Sequence, residues 1–189
     1  MLVFIDEMLQ EQELNKLIEL CKAGDKKAQQ DIFNLKKDEL FAICKRYALS
    51  SSEAEDMFIE GFTKIFQYID TLSYGSFEPW ARRVMINTCI NTYHKELRRK
   101  TTEITTEEYS ENVEIESDVK FTHDDLQYCL EQLGDEQRII FNLFAIDDYK
   151  SKEIAEMLNI SDEKVRTTIH RSKVKLKKLL TELDKKRSR

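Results

Sequence analysis

Apolar residues recur every three or four positions along most of this chain, and that spacing restricts the fold more than any other feature of the sequence. The pattern begins with Leu14, Leu17, Ile18 and Cys21 and returns, with interruptions, as far as about position 183. A period of 3.6 residues places such side chains on one face of an α-helix. The 189 residues include only 4 glycines and 1 proline, a composition that favours helices over sheets. The sequence therefore predicts an all-α fold.

The first part of the chain predicts four helices and one longer loop. The helices cover about 13–22, 27–48, the stretch from the serines at 50–52 to about 69, and 79–99. Leu35 is assigned to the buried face of the second helix, and Leu97 to that of the fourth. Gly24-Asp25 ends the first helix, and Ser50-Ser51-Ser52 supplies an N-cap for the third. Residues 70–76 break the apolar period and predict a loop.

The composition changes from residue 101 to residue 122, where Thr, Ser, Glu and Asp dominate and no apolar period survives. Such a segment is typical of a mobile linker. Helical spacing returns at about 124–133, 136–146, 152–158 and 162–183, and the tail at 185–189 is predicted to fray. We therefore expect two small helical domains, an N-terminal helical bundle at 10–100 and a C-terminal helix-turn-helix domain at 123–183. An acidic flexible linker at 101–122 joins them.

The formal charge of −6 is distributed unevenly along the chain. Residues 82–100 carry a net +5 and residues 163–189 a net +8, whereas residues 101–136 carry −11. Net charge indicates partners only locally. Two basic segments on an acidic chain are compatible with binding to nucleic acid.

The segment 151–183 predicts a helix-turn-helix. Ser151 is the predicted cap of a helix at 152–158, Asn159-Ile160-Ser161 forms the turn, and a long helix follows. Its predicted buried stripe is Val165, Ile169, Ser172, Leu176 and Leu179. The stripe predicted to bind DNA is Arg166, His170, Lys173 and Lys177, with Thr167, Arg171 and Lys178 beside it. Such a helix suits a major groove, where its first turns reach base edges and its basic half holds phosphates. The alternative is an ordinary lysine-rich surface helix.

The fourth helix of the first domain carries a second candidate nucleic-acid surface. Its core stripe is predicted from Ile86, Ile90, Tyr93 and Leu97. Another line along the helix is Trp80, Arg83, Asn87, Asn91, His94 and Arg98, and the preceding loop adds Tyr74, Ser76 and Phe77. Aromatic, amide and cationic groups together suit unpaired bases, through stacking, edge hydrogen bonds and phosphate contacts. The alternative for Trp80 is a place in the core.

The third helix shows an acidic face of Glu53, Asp56 and Glu60, and large apolar groups cover much of the rest. An acidic face is usually only solvated. The number of large apolar groups favours contact with another protein.

Catalytic and metal-binding patterns are absent from the sequence. It has no H-E-x-x-H, Walker loop or Gly-rich phosphate cradle. The 4 cysteines are widely spaced without C-x-x-C, which predicts buried thiols in a reducing compartment. A zinc site formed by these cysteines with histidines is a weaker alternative. We expect no enzyme activity, cofactor or metal. The start Met1–Ile5 lacks a basic region, and no run approaches the ~20 apolar residues of a membrane span, so we expect a cytoplasmic protein.

Four motifs, in this order, resemble the sigma factors of bacterial RNA polymerase, specifically the extracytoplasmic-function group of the sigma-70 superfamily. The resemblance covers about 13–182. The motifs are Gly24-Asp25-Lys26-Lys27-Ala28, the segment 53–62 (EAEDMFIEGF), the segment 77–87 (FEPWARRVMIN) and the segment 153–158 (EIAEML).

The resemblance implies a role for each candidate surface. Glu53, Asp56, Met57, Ile59 and Glu60 would dock on the β′ clamp helices of core RNA polymerase. Tyr74, Ser76, Phe77, Trp80, Arg83, Asn87, Asn91 and Arg98 would recognise and melt the −10 promoter element. Arg166, Thr167, His170, Arg171, Lys173 and Lys177 would bind the −35 element, with the β flap as a further polymerase contact. The linker would thread toward the polymerase active site. Factors of this group are commonly held inactive by an anti-sigma protein, often in the membrane.

The sequence departs from the common family pattern at three of these places. Ile59 stands where the family often has Gln, Asn91 where it often has Asp, and Asn159 where it often has Gly. From the residues alone a rival interpretation stays open, namely a stand-alone helix-turn-helix regulator that binds operator DNA as a dimer.

Overall fold

The computed structural model describes residues 2–72, 77–99 and 122–187, and every regular element within those ranges is helical. The chain divides into two compact units, Met1–Arg98 and Arg99–Arg189. The predicted linker lies outside the described residues except for its last residue, Thr122.

Four helices build the first unit, as the apolar spacing predicted. They are α1 (Leu2–Lys22), α2 (Lys26–Tyr47), α3 (Ser51–Tyr68) and α4 (Phe77–Arg99), with a short 3-10 turn at Ile69–Thr71 after α3. α1 begins about ten residues before its predicted start. The predicted loop at 70–76 begins within the 3-10 turn, and its residues 73–76 lie outside the described ranges.

Gly24 and Asp25 turn the chain between α1 and α2. Gly24 has a φ of +84°, which only glycine adopts without strain, and the N–H of Asp25 donates to the carbonyl of Leu20 at 3.0 Å. Asp25 then caps α2, because its carboxylate accepts the N–H of Lys27 at 2.7 Å and of Ala28 at 3.0 Å. Two adjacent residues therefore end one helix and begin the next.

The core of the first unit is aliphatic where α2, α3 and α4 meet. Ile32, Ile43, Ile65 and Met85 are fully buried. Gly61 of α3 lies directly against the side chain of Met85 on α4, so a larger residue there would overlap the thioether. The missing side chain thus leaves room beside α3 for the buried end of Met85.

An aromatic group lines the side of the same core where α2 meets α3. Its rings are those of Phe33, Phe41, Phe58, Phe62 and Phe66, with neighbouring centroids 4.8–5.8 Å apart. Tilted and edge-on pairs at such distances add attraction beyond the burial of area.

The second unit contains α5 (His123–Glu131), α6 (Asp135–Ala145), α7 (Ser151–Leu158) and α8 (Asp162–Arg187). Cys129, Leu133 and Leu176 form a buried cluster between α5 and the C-terminal half of α8. The partly buried side chains packed against this cluster are Leu130, Phe141, Leu179, Leu180 and Leu183.

The end of α8 corrects the prediction of a frayed tail, because the helix continues to Arg187. The guanidinium of Arg187 donates to both carboxylate oxygens of Asp125, at 2.6 and 2.7 Å. Asp125 also forms a capping box with Thr122, which begins α5. The Thr122 hydroxyl, its N–H and then Arg187 hold the pKa of Asp125 below its usual value. The stabilisation from this carboxylate is therefore present at neutral pH and lost as the pH falls through the lowered pKa.

All four cysteines are buried and free, as predicted. Burial, with a smaller effect from Asp25 and Asp31, raises the pKa of Cys21 to about 11, so this thiol stays neutral.

Three local predictions are wrong. Leu35 is exposed because it lies about a quarter of a turn from the centre of the buried stripe of α2. Leu97 is exposed in the last turn of α4, whose final residues mostly face solvent. Ser151 is the first helical residue of α7 rather than its cap, and the Lys150 N–H is satisfied by the carboxylate of Glu153 at 2.8 Å.

Replacing Asp25 by alanine should lower the free energy of unfolding of the first unit by about 1 kcal/mol, because two N–H groups at the start of α2 lose their acceptor. Trp80 is the chain's single tryptophan and lies in this unit. Its fluorescence during urea unfolding therefore reports the first unit alone. Asp38→Ala, which removes an exposed acid from within α2, is the matched control and should change stability by less than about 0.5 kcal/mol. Equal effects of the two substitutions would contradict the capping role.

Candidate nucleic-acid interface

The turn between α7 and α8 depends on a left-handed residue. Asn159 has φ 54° and ψ 46°, a conformation that asparagine tolerates better than most side chains. The N–H of Ile160 donates to the carbonyl of Ala155 at 3.0 Å and closes the end of α7. Ser161 then caps α8, since its hydroxyl oxygen accepts the Lys164 N–H at 3.2 Å. Three residues thus form the turn between two helices, as predicted for a helix-turn-helix.

Burial of one side of α8 fixes which side faces outward. Val165, Thr168, Ile169, Ser172 and Leu176 are buried, and Leu179 is half-buried. The Ser172 hydroxyl donates to the Thr168 carbonyl at 2.8 Å, which satisfies a polar group inside the core. Four of the five predicted core positions are therefore buried.

The opposite side of α8 presents the predicted DNA-binding residues. Arg166, Thr167, His170, Arg171 and Lys173 are exposed, and Lys177 is half-buried. The structure brings them together on one helical surface whose charge is positive.

These residues differ in how firmly their side chains are held. Arg166 pairs with Asp162 one turn earlier at 2.7 Å, and the Lys173 ammonium lies 5.1 Å from the centre of the Phe144 ring. Within the described part of the chain, His170 and Arg171 make no side-chain hydrogen bond or ion pair. On α8, the side chains of Arg166 and Lys173 are therefore restrained by neighbours, whereas among the described residues those of His170 and Arg171 are not.

The second predicted surface runs along α4. Arg83, Asn87, Asn91 and Arg98 are exposed, and Trp80 and His94 are half-buried. The Trp80 ring lies against Phe77, with centroids 6.1 Å apart. Part of the indole is therefore accessible for stacking while its other side is supported by the core.

The other residues predicted for this surface are placed differently. Phe77 is only 2 % exposed and belongs to the core at the start of α4, so its predicted contact with DNA is not available in this structure. Its position after a polar loop gave no sign of this burial. Tyr74 and Ser76 lie outside the described residues.

The acidic surface of α3 is only partly as predicted. Asp56 is exposed and Ile59 is 65 % exposed, but Met57 is 2 % exposed and packs in the core. The expected surface contact of Met57 is therefore corrected, since its position on the helix turns inward. Glu53 accepts the Leu49 N–H at 2.5 Å, and Ser50 accepts the Glu53 N–H at 3.2 Å, so Glu53 also helps to begin α3.

Glu60 connects α3 to α4 through two lysines. Its carboxylate accepts a hydrogen bond from Lys64 at 2.6 Å and lies 3.7 Å from the Lys95 ammonium. The hydrogen bond from Lys64, together with the two positive charges, lowers the pKa of Glu60. This group remains ionised at neutral pH, and its charge is locally compensated.

Sequence reasoning missed two features of the second unit. Asp162 was not singled out, although an acid four residues before an arginine on a helix is a recognisable signal for an ion pair. The pair between Asp125 and Arg187 joins residues 62 positions apart, and no local pattern indicates it.

Neither metal-site geometry nor a membrane helix is found where the structure describes the chain. No three histidine, cysteine or acidic side chains there are grouped closely enough to hold a metal ion. No helix in the described ranges has the length and apolar character needed to cross a membrane.

These surfaces and the two helical units define the class of the protein, an all-α protein whose second unit carries a DNA-binding helix-turn-helix. The family model for sigma-70 region 2 matches residues 32–100, and the model for sigma-70 region 4 matches residues 123–176. The chain belongs to the sigma-70 family, in its extracytoplasmic-function group.

Curated relatives agree with this assignment. The chain is 29 % identical over 183 residues to the ECF RNA polymerase sigma factor SigW of Bacillus subtilis. The alignment covers 90 % of this chain and 98 % of that protein. It is 26 % identical over 133 residues to the RNA polymerase sigma factor YlaC of the same organism, covering 68 % and 75 % respectively.

A solved structure shares the fold. The sigma factor RpoE of Bartonella quintana, in its co-crystal with the anti-sigma factor NepR, aligns with a TM-score of 0.51 at 17 % identity. The alignment covers 80 % of this chain and 96 % of that one.

Proposed function

We propose that this protein is a sigma factor that joins core RNA polymerase and directs it to promoters, with α8 reading the −35 duplex and α4 helping to open the −10 element. The observation that carries this proposal is the order of the two sigma regions on one chain, each with an exposed surface suited to DNA. A repressor needs only the duplex-binding helix. A second surface for unpaired bases is what initiation requires in addition.

The exposed side of α8 suits the major groove. Arginine donates two parallel hydrogen bonds to a guanine edge, and threonine and histidine offer single contacts. Lys173 and Lys177 lie further along the helix, where cations contact phosphates and set orientation without reading sequence. This division assigns specificity to Arg166, Thr167, His170 and Arg171, and affinity to the lysines.

The surface of α4 suits a strand that has left the duplex. An unstacked base loses its neighbours, and an aromatic ring such as that of Trp80 replaces one of them. Asn87 and Asn91 can donate and accept hydrogen bonds at a Watson–Crick edge, while Arg83 and Arg98 neutralise the backbone. Trp80 rests on buried Phe77, so Phe77 contributes by supporting the indole.

The exposed part of α3 is proposed to dock on core polymerase. Asp56 and Ile59 are the accessible groups there, and Glu60 lies beside them on the helix with its charge compensated by Lys64 and Lys95. We assign this surface to the β′ clamp helices, and the second unit to the β flap. The role of Glu53 is to hold the start of α3 in place.

A sigma factor of this kind acts by recruitment and DNA binding, so we propose that it is not an enzyme and that it functions in the cytoplasm with the polymerase. The related RpoE structure contains an anti-sigma factor. We propose that a corresponding inhibitor, either free or anchored in the membrane, controls this chain.

Arg171→Ala should weaken binding of the reconstituted holoenzyme to its −35 duplex by about 1–3 kcal/mol if the guanidinium makes a bidentate base contact. Fluorescence anisotropy with duplexes selected by the wild-type holoenzyme measures this change. Arg171→Lys is the matched control, because it keeps the charge but not the two-pronged geometry. The two variants should therefore be similarly impaired for the selected sequence. Full rescue by lysine would show that Arg171 contacts only phosphate, and unchanged binding by both variants would remove it from the interface.

Trp80→Ala should leave duplex binding nearly unchanged and slow promoter opening by about 5- to 100-fold, because one base–aromatic stack contributes about 1–3 kcal/mol. Permanganate reactivity of thymines in the −10 region, followed in time, measures opening directly. Trp80→Phe keeps a ring and should retain most of the opening rate. Normal melting by the alanine variant would contradict the stacking role.

A further inference from the structure

The first turn of α8 contains an ion pair that lies on the proposed DNA-reading side of the helix. The Arg166 guanidinium is 2.7 Å from one carboxylate oxygen of Asp162, and the two side chains are 67 % and 25 % exposed. The other carboxylate oxygen of Asp162 is covered and has no hydrogen-bond partner in the part of the chain that the structure describes.

This pair contributes little to the stability of the folded protein. Exposed pairs four residues apart on a helix typically contribute about 0.3–0.5 kcal/mol, since water screens them and both side chains lose freedom. The ion pair matters more for the conformation of the Arg166 side chain. A free arginine samples many rotamers, whereas the contact with Asp162 restrains one nitrogen of the Arg166 guanidinium.

Neighbouring charges do not provide the same restraint. Lys164 turns to the side and pairs with Glu136 of α6 at 2.6 Å. Glu163 is exposed, and within the described residues it makes no side-chain hydrogen bond or ion pair. Asp162 is therefore the acid in this turn that restrains a reading residue.

We propose that Asp162 is a positioning residue that orients Arg166 for bidentate recognition of a guanine in the −35 duplex. This inference rests on the proposed function of α8. Arginine has five N–H donors, so the contact with Asp162 leaves enough of the fork to bind guanine O6 and N7. Removal of water on DNA binding would strengthen the Coulomb attraction between the two groups, so the preset orientation would persist in the complex.

The same carboxylate also places a negative charge near the phosphates. That charge weakens binding to every DNA sequence alike, because it opposes the cations of α8. Asp162 should therefore lower general affinity while it raises discrimination. Opposite effects on these two quantities separate a positioning role from a structural one, since a damaged helix would lose affinity for all sequences.

The test uses the full chain assembled with core RNA polymerase and a duplex library randomised across the upstream element. Asp162→Ala should reduce the preference for guanine at one position by about 5- to 20-fold, an effect of about 1–2 kcal/mol by the conversion of tenfold to 1.4 kcal/mol. Binding to non-preferred sequences should stay equal or become tighter. Asp162→Asn keeps an acceptor oxygen and the shape of the side chain, so it should retain part of the preference.

Glu163→Ala is the matched control, because it removes an equal charge from the same helical turn without releasing Arg166. It should shift binding to all sequences together and leave the base preference unchanged. Arg166→Ala should abolish preference at the same position, and adding Asp162→Ala to it should cause no further loss.

The outcomes separate this inference from the proposed function. If Arg166→Ala changes the preference and Asp162→Ala does not, the positioning role is refuted while −35 reading stands. A uniform loss of affinity on Asp162→Ala, with the preference intact, refutes it as well. If the wild-type holoenzyme shows no base preference across the upstream element, the proposed reading by α8 is wrong, and the positioning role of Asp162 is refuted as well.

Discussion

The burial of one side of α8 is the constraint on which the second unit depends. Val165, Ile169 and Leu176 hold the helix against its neighbours, and the position of each exposed side chain follows from that packing. A helix that could rotate would not present a fixed row of donors to a groove. The left-handed turn at Asn159 and the cap at Ser161 then set where the helix begins. The ion pair between Asp125 and Arg187 connects the C-terminal end of α8 to the start of α5.

In the first unit, packing against the core likewise fixes the outer side of α4. Buried Met85 packs α4 against Gly61 of α3, which fixes the direction of the outer side of α4, the side proposed to contact DNA. Trp80 lies at the border between core and surface, supported by Phe77. An aromatic ring that is firmly held loses less conformational freedom on stacking than a mobile one. Under the proposed function, supporting the ring would make the capture of an unpaired base less costly.

Most helices and their exposed faces could be predicted from the sequence, because they depend on local spacing and on caps within a few residues. The helix-turn-helix was predicted on this basis, and so was the outward line of Arg83, Asn87 and Asn91. The family resemblance places Met57 on the docking surface, and Phe77 was assigned to the loop before α4, yet each turns toward a core built from distant segments. The prediction of a frayed tail is wrong for a related reason. Arg187 in this tail pairs with Asp125, and no periodicity links the two residues.

The central claim is that this chain confers promoter specificity on core RNA polymerase. Run-off transcription with purified core polymerase and genomic templates tests it most directly. Addition of the full chain should produce discrete transcripts that core polymerase alone does not make, and their upstream sequences should share −35 and −10 elements. The absence of any transcript that depends on both the chain and a particular promoter would contradict the account.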